Sequence, residues 1–153
     1  MAQNDIMKVP TLLYVDDSEK YRQHFQELVA AHMPHARLHI ASDPRQGLDL
    51  AERITPDCAI LDLHMPGMSG IELCRALKAK KKTAHFPILL ITGHNVSAQM
   101  RVNGLEAGAD AFVQRPCADI DLLAQIGVLL RIRRAEKELR SVNRQLADLA
   151  GSR

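Results

Sequence analysis

The chain has 153 residues, of which 46% are hydrophobic and 25% charged, so it is long enough for one packed domain and too apolar to be disordered. A formal net charge of +2 and an aromatic content of only 3% argue against nucleic acid as a partner. The first residues contain no apolar signal-peptide segment, and no apolar run reaches the roughly 18 residues that span a membrane. These features predict a cytoplasmic protein without a membrane partner.

Five apolar runs of strand length follow one another along the chain, and each is followed by a segment of helical period. The predicted strands are Thr11–Val15, Arg37–Ala41, Cys58–Asp62, Pro87–Thr92 and Ala111–Gln114. The predicted helices are Ser18–His32, Asp43–Arg53, Gly70–Lys80, Ser97–Glu106 and a segment from Ala118 to the end of the chain. This strict alternation predicts an α/β fold in which right-handed crossovers build a parallel sheet with helices on both faces.

Polar side chains stand at the carboxyl ends of four of these strands. Asp16 and Asp17 follow the first strand, Asp62 ends the third, Thr92 ends the fourth and Arg115 follows the fifth. Ligands of doubly wound sheets bind outside these strand ends, so the side chains are expected to meet at one edge. A single Asp after a strand also fits a helix cap, but three clustered carboxylates repel one another unless a cation or proton intervenes. The predicted cation is Mg²⁺, which takes one or two carboxylates together with water and phosphate oxygens.

Four motifs carry these residues: LLYVDDS, ILDLHMPGMSG, LLITGH and GADAFVQRP. In this order and spacing they closely resemble the receiver domain of two-component response regulators, of the CheY-like superfamily, over roughly residues 10–130. The resemblance implies a five-stranded parallel, doubly wound sheet of the flavodoxin-like order 2-1-3-4-5 with an extended C-terminal helix. It divides the chain into an N-terminal extension (1–10), a phosphoacceptor receiver domain (11–130) and a helical extension (131–153).

The resemblance also implies roles for the acidic residues. Asp62 is expected to accept a phosphoryl group from a phosphohistidine on a sensor histidine kinase or a phosphotransfer protein. Asp17, Asp62 and the backbone carbonyl of His64 are expected to ligate Mg²⁺, with Asp16 binding more through water. The metal would neutralise charge on the transferring group and align it with the carboxylate, so that catalysis consists of positioning and electrostatics.

The phosphoryl readout is where the chain departs from the family. The resemblance implies that Thr92 donates its hydroxyl to a phosphoryl oxygen and that Phe112, the aromatic switch residue, swings inward when Thr92 moves. Arg115 stands where the family has Lys; it keeps the positive charge but is longer, planar and forked. Phosphorylation is expected to survive this exchange, whereas its coupling to the switch is left open. The resemblance further implies a cis peptide bond between Arg115 and Pro116.

Two histidines, His64 and His94, lie two residues beyond Asp62 and Thr92 respectively. In the family these positions flank the entrance for the water that attacks the phosphoryl group, so both imidazoles are candidates for tuning dephosphorylation. The alternatives are that both are solvent-exposed without a role, or that they form a metal site, which is the weakest of the three hypotheses.

The last segment continues beyond the length that a receiver needs. Its apolar residues recur at spacings of 3, 4, 3, 4 and 3, namely Ile132, Ala135, Leu139, Val142, Leu146 and Leu149. This heptad pattern predicts a two-stranded coiled coil that joins two receivers; a single helix that folds back or frays is the alternative. The second half of the helix is expected to lie beyond its own domain. The arginines of this segment are expected to form mainly a solvated face (Arg131, Arg133, Arg134, Arg140 and Arg144).

The sequence therefore predicts a response regulator receiver, phosphorylated on Asp62, that switches protein contacts. The contacts expected are a homodimer through the C-terminal helix, through the face formed by the fourth helix, fifth strand and fifth helix, or through both. A multiple-turnover phosphatase is disfavoured, because such enzymes need a DxD motif after the first strand and a large cap, whereas this chain has DDS and no cap-sized insertion. A phosphorylation-impaired receiver that serves as a dimerisation scaffold is the alternative. The downstream effector is unknown, and the sequence fits both a stand-alone receiver and a piece of a larger regulator.

Overall fold

The computed structural model describes residues 9–93 and 96–151. The strands in these residues are β1 (Thr11–Val15), β2 (Arg37–Ala41), β3 (Cys58–Asp62), β4 (Ile88–Thr92) and β5 (Ala111–Gln114). The helices are α1 (Glu19–His32), α2 (Pro44–Ile54), α3 (Gly70–Lys78), α4 (Ala98–Glu106) and α5 (Asp119–Gly151). The strands form one sheet of order β2-β1-β3-β4-β5 in which every neighbouring pair is parallel. The predicted doubly wound, flavodoxin-like fold is confirmed.

The helices begin at the capping residues that the sequence contains. Ser18 caps α1 and Asp43 caps α2, in each case because the side chain accepts a hydrogen bond from a backbone N–H of the first turn. Ser69 and Glu72 form a capping box at the start of α3. These caps fix where α1, α2 and α3 begin after the first three strands. Asp16 and Asp17 lie between β1 and α1, and Asp62 ends β3.

The sheet separates two layers of apolar packing. The central strands β3 and β4 are buried at every position, which explains why their sequences are continuous apolar runs. One layer packs α2 and α3 on the sheet, with Leu73 and Leu77 fully buried. The other packs α1 and α5, with Phe25 and Ile126 buried almost completely. The rigid central strands thus end at the edge where the polar residues stand.

Helix α5 runs unbroken for 33 residues. Leu129 is still buried, and Arg133, one turn further on, is only 7% exposed. Lys137 and Arg140 contact Asp57 and His85 respectively, across 80 and 55 residues of sequence. The expectation of a solvated arginine face is therefore wrong for Arg133, whereas the other arginines of the segment are exposed as expected. The expectation that the second half of the helix lies beyond its own domain is wrong for the stretch from Arg133 to Arg140, which contacts the receiver. The predicted heptad residues are exposed: Ile132 46%, Leu139 61%, Val142 50%, Leu146 59% and Leu149 67%.

Within residues 9–93 and 96–151, no helix combines the length and the apolar character needed to cross a membrane.

Candidate functional site

Three carboxylates lie together at the carboxyl ends of β1 and β3. One oxygen of each of Asp16, Asp17 and Asp62 lies within 4.8 Å of the other two. The convergence follows from the topology, because β1 and β3 are adjacent parallel strands with Val15 beside Leu61. Asp16 is fully buried and Asp62 is 7% exposed, whereas Asp17 is exposed. The cluster therefore has a buried floor and an open side.

The cluster carries excess negative charge. Arg115 ion-pairs with Asp16 at 3.1 Å, and its Nη1 lies 3.9 Å from Asp62 Oδ1. Burial and the charges of Asp16 and Asp17 nevertheless raise the pKa of Asp62 to about 7, against the lowering effects of Arg115 and of a hydrogen bond from the His64 backbone. One guanidinium offsets only part of the charge of three carboxylates. The donor set of hard oxygens with one exposed member therefore fits the predicted Mg²⁺, which also needs room for water and phosphate oxygens.

Two tyrosines hold Arg115 in place. Its Nη2 donates to the Tyr14 hydroxyl at 2.8 Å and to Asp16 Oδ2 at 3.1 Å, while its Cζ lies 3.8 Å from the centroid of the Tyr21 ring. The Tyr14 hydroxyl in turn donates to Asp16 Oδ2 at 2.7 Å. Burial, followed by the charge of Asp16, raises the pKa of Tyr14 far above its ordinary range, so the phenol remains a donor. The ring of Tyr14 is stacked on Phe25 with 4.2 Å between centroids.

The two tyrosines are the members of the site that the sequence did not reveal. Tyr14 belongs to an apolar strand and Tyr21 to the apolar positions of a helix, and both patterns predict packing rather than a polar role. The available signal was a hydroxyl-bearing residue two positions before Asp16 in a strand that otherwise ends in aliphatic residues.

Thr92 lies one residue beyond the point where β4 pairs with the acceptor. The register places Asp62 beside Ile91, and Thr92 ends the strand fully buried. The backbone N–H of Arg115 donates to the Thr92 carbonyl at 2.6 Å, which ties the residue that follows β5 to the end of β4. The predicted cis peptide bond between Arg115 and Pro116 is present. Thr92, Arg115 and the acidic cluster thus share one edge of the sheet.

Phe112 lies in β5, beside Leu90 of β4, and is half-buried against the core. Its ring packs over Gly104 of α4, because a Cβ built on Gly104 would lie 3.2 Å from the Phe112 Cε2 atom. The aromatic residue therefore lies between the edge strand and α4, and a movement of its ring would change its contact with that helix.

Of the two candidate histidines, only His64 lies within the described residues. His64 is exposed two residues after the acceptor, and its backbone N–H donates to Asp62. His94 lies outside the described residues. Their part in dephosphorylation stays a prediction.

Gly70 sets the approach of α3 to the acceptor. A Cβ built on Gly70 would lie 2.3 Å from the Asp62 carbonyl oxygen, and the Gly70 N–H donates to the Leu63 carbonyl at 2.8 Å. Glycine therefore allows α3 to begin in direct contact with the end of β3.

A five-stranded parallel sheet with a carboxylate cluster at its topological switch point defines the CheY-like class of α/β domain. Residues 12–127 match the family model described as the response regulator receiver domain. The chain belongs to that family, and membership places it in two-component signalling.

Curated relatives include the response regulator PleD of Caulobacter vibrioides, 34% identical over 144 residues, which covers 92% of this chain and 31% of PleD. The response regulator MprA of Mycobacterium leprae is 34% identical over 138 residues, 90% of this chain and 58% of that protein. The chain therefore spans about a third of PleD and little more than half of MprA.

Among solved structures, the chemotaxis protein CheY4 of Vibrio cholerae matches with a TM-score of 0.73 and 26% identity, covering 80% of this chain and 99% of that one. A CheY-like receiver domain protein of Methanospirillum hungatei matches with a TM-score of 0.75 and 28% identity, covering 84% of this chain and 99% of that one. Nearly the whole of each of these proteins is thus accounted for by a part of this chain.

Proposed function

We propose that this receiver is operated by phosphorylation of Asp62, with a phosphohistidine of a sensor histidine kinase or a phosphotransfer protein as the donor. The observation that carries the proposal is the cluster of Asp16, Asp17 and Asp62 at the switch point, with Arg115 beside it. In the transfer, the P–N bond of the phosphohistidine breaks as a P–O bond to an Asp62 oxygen forms.

The residues that would hold Mg²⁺ are Asp17, Asp62 and the backbone carbonyl of His64. Asp16 has less capacity for direct ligation, because its Oδ2 accepts from Tyr14 and Arg115 and its Oδ1 accepts from the Ser18 N–H at 2.9 Å. That pattern supports the binding of Asp16 through water. When bound, Mg²⁺ supplies positive charge to the transferring group and to the acceptor carboxylate.

Two further side chains bind the phosphoryl group once it is on Asp62. Thr92 donates its hydroxyl to a phosphoryl oxygen, and Arg115 Nη1, which already points to within 3.9 Å of Asp62, supplies a charged donor. When Thr92 shifts, Phe112 swings inward, and its ring changes its contact with α4 at Gly104.

The output is a change of protein contacts, with homodimerisation as the first candidate. α4 and α5 expose apolar side chains beside β5 (Val102, Leu105, Ile120 and Val128). The heptad residues of α5 add a second exposed apolar surface. Both surfaces support dimerisation, whereas the downstream effector is not specified by either.

The alternative is a phosphorylation-impaired receiver that acts as a dimerisation scaffold. The observation in its favour is that Arg115 is already engaged by Tyr14, Asp16 and Tyr21. If those contacts hold the guanidinium away from the acceptor, phosphorylation and readout both weaken.

A phosphorylation assay separates these functions. The protein is incubated with Mg²⁺ and a small phosphodonor, and intact-mass spectrometry is expected to show a gain of one phosphoryl group. Asp62→Asn abolishes the gain, whereas Asp49→Asn, at an exposed aspartate of α2, retains it. Absence of the gain with both the small donor and a kinase leaves the scaffold. Steady hydrolysis of varied phosphoesters indicates a phosphatase instead.

A further inference from the structure

The part of α5 beyond Leu130 has two faces of different chemistry. The apolar seam consists of Ile132, Ala135, Leu139, Val142, Leu146 and Leu149. The basic stripe consists of Arg133, Lys137, Arg140 and Arg144, at spacings of 4, 3 and 4. At about 100° per residue the centres of the two sets lie roughly 160° apart around the helix. One side of the helix is therefore cationic and the opposite side is aliphatic.

The basic stripe contacts its own receiver. Lys137 Nζ lies 2.5 Å from Asp57 Oδ1, and Arg133 Nη1 donates to the His85 carbonyl at 3.3 Å. The guanidinium of Arg140 contacts the ring of His85. Asp57 stands just before β3 and His85 shortly before β4, so these contacts lie at the amino end of the sheet, at the edge opposite Asp62.

Both receiver residues suit this role. Asp57 Oδ2 accepts a hydrogen bond from the Thr11 N–H at 2.8 Å, and the Asp57 N–H donates to the Thr11 carbonyl at 2.7 Å, so the carboxylate is fixed to the start of β1. Burial, followed by the charges of Arg140 and Arg133, lowers the pKa of His85, so its neutral ring is available to accept from Arg140. The side chain of Lys137 is 44% exposed and that of Asp57 17%, so their ion pair is partly shielded from solvent.

The docked stripe decides where the seam points. Because the stripe faces the receiver, the seam faces away from it, and five of its members are 46–67% exposed. Aliphatic residues in a continuous seam of heptad spacing fit a second helix with the same spacing, through knobs-into-holes packing.

The charges beside the seam are complementary to those of a second copy of this chain. With Ile132 at heptad position a, Arg131 occupies g and Glu136 occupies e. In a parallel, in-register pair, each g residue faces the e residue of the next heptad on the other chain, so Arg131 lies opposite Glu136 of the second copy. An antiparallel pair centred on the seam places Glu136 opposite Asn143 instead, and gains no pair of opposite charges. The sequence therefore favours the parallel arrangement.

We propose that α5 is a two-sided connector: its basic stripe docks on the amino edge of its own receiver, while its apolar seam pairs with the seam of a second copy in a parallel, in-register coiled coil. The proposal rests on the proposed function only in that it defines the homodimer. It does not depend on phosphoryl transfer, and its tests use the full chain without a phosphodonor.

Cysteine cross-linking tests the pairing. In a Cys117→Ser background, Leu139→Cys and Leu146→Cys are each expected to form disulfide-linked dimers under mild oxidation, because a and d residues face their own copies across a parallel seam. An antiparallel dimer brings at most one of these two positions opposite itself. Arg144→Cys, on the basic stripe at the same end of the helix, is the matched control and should stay monomeric on a non-reducing gel. Cross-linking at only one seam position, or equally at position 144, overturns the parallel seam.

A charge exchange tests the register. Arg131→Glu is expected to weaken the dimer by roughly tenfold in sedimentation equilibrium, since two attractive pairs become repulsive. Adding Glu136→Arg restores the original dissociation constant. Arg134→Glu, an exposed residue off the seam, makes the same charge change and should leave the constant unaltered. Equal weakening by Arg131→Glu and Arg134→Glu overturns the in-register pair and leaves only a general charge effect.

Hydrogen exchange tests the docking of the stripe. Replacing Lys137 and Arg140 by Ala is expected to accelerate amide exchange in 131–140 severalfold, because the helix loses its contacts with the receiver. Arg144→Ala is the control for the loss of a stripe cation with no receiver contact assigned to it. If amide exchange in 131–140 is equally fast in the double variant and in the Arg144→Ala control, the docking is overturned. The phosphoryl mass gain on Asp62 is measured in the same variants, so failure of the connector is distinguished from failure of phosphorylation.

Discussion

The guanidinium of Arg115 lies over the ring of Tyr21, with Cζ 3.8 Å from the ring centroid. A planar cation can stack in this way and still donate hydrogen bonds in its own plane, and Arg115 does so to Tyr14 and to Asp16. A Lys ammonium carries its charge at one point and has no plane to stack. Arg115, at the position where the receiver resemblance implies Lys, thus has two aromatic partners, Tyr14 and Tyr21, that fix the direction of its guanidinium.

Arg115→Lys is expected to lower the free energy of unfolding by about 1 kcal/mol, because it removes the stacking on Tyr21 and one of the charged hydrogen bonds. Phosphorylation of Asp62 is expected to persist, since a positive charge remains near the acceptor. Urea unfolding and intact-mass measurement check the two outcomes. Arg45→Lys, at an exposed position of α2, is the matched control and should change stability by less than about 0.5 kcal/mol. Equal stability of both variants would show that the stacked geometry contributes nothing.

Tyr14→Phe is expected to lower the free energy of unfolding by about 1–3 kcal/mol. The hydroxyl that it removes donates to the fully buried Asp16 and accepts from Arg115, so a buried carboxylate loses a donor. Tyr21→Phe keeps the ring beneath Arg115 and is the matched control, with a change of less than about 0.5 kcal/mol expected in the same urea titration. A Tyr14→Phe protein as stable as the control would mean that Arg115 and the Ser18 N–H satisfy Asp16 without the phenol.

The positions of Asp16, Asp17, Asp62 and Thr92 could be predicted because they depend only on strand order. Continuous apolar runs define the central strands, alternation with helices makes them parallel, and the residues that end parallel strands must share an edge. Packing inside the sheet leaves little freedom at these points. The fold and the acidic cluster therefore follow from local patterns.

Contacts between distant side chains were not predictable in the same way. Arg115 and Tyr14 are separated by 101 residues, and Lys137 and Asp57 by 80. Each contact depends on the reach of a long side chain across two elements, which periodicity does not record. On α5, a polar face that docks on a receiver and one that faces water have the same sequence pattern, so the pattern alone favoured solvent.

The affinity of the site for Mg²⁺ is expected to depend on pH through Asp62. Burial and the charge of Asp16 raise the pKa of Asp62 to about 7 in the metal-free protein, so below that pH the metal must displace a proton. The apparent dissociation constant should therefore be about tenfold larger at pH 6 than at pH 8, and level above the pKa. Isothermal titration calorimetry measures it, and Asp62→Asn should bind weakly with no such slope. Equal affinities at the two pH values would contradict the raised pKa.

The same carboxyl gives the metal-free protein a stability that falls with rising pH. At a pH between 3.8 and about 7, Asp62 still holds its proton in the native state. In the unfolded state, where its pKa has the ordinary value of 3.8, the proton has already been released. The contribution of Asp62 to the free energy of unfolding is therefore largest below pH 3.8, and it declines as the pH rises to about 7. Urea titrations of wild type and Asp62→Asn across this range isolate it, because the amide has no proton to hold. A wild-type profile parallel to that of Asp62→Asn would refute the assignment.

Gly70→Ala is expected to destabilise the protein by about 3 kcal/mol and to slow phosphorylation of Asp62. The new Cβ would lie 2.3 Å from the Asp62 carbonyl oxygen and 3.0 Å from the Leu63 Cα, and backbone atoms cannot rotate away as a flexible side chain can. The shift that relieves this overlap must move the start of α3 or the end of β3, and the latter carries the acceptor.

Gly127→Ala is the matched control for that prediction, because a Cβ there meets nothing within 4 Å and the position lies inside α5. Alanine is the better helix former, so this variant should gain about 0.5–1 kcal/mol. Urea unfolding gives both values, and the rate of the phosphoryl mass gain shows whether the acceptor has moved. A Gly70→Ala protein that loses stability but keeps the wild-type rate would place the displacement in α3. Loss of both would place it in β3, since the position of Asp62 relative to Asp16 and Asp17 is what the transfer requires.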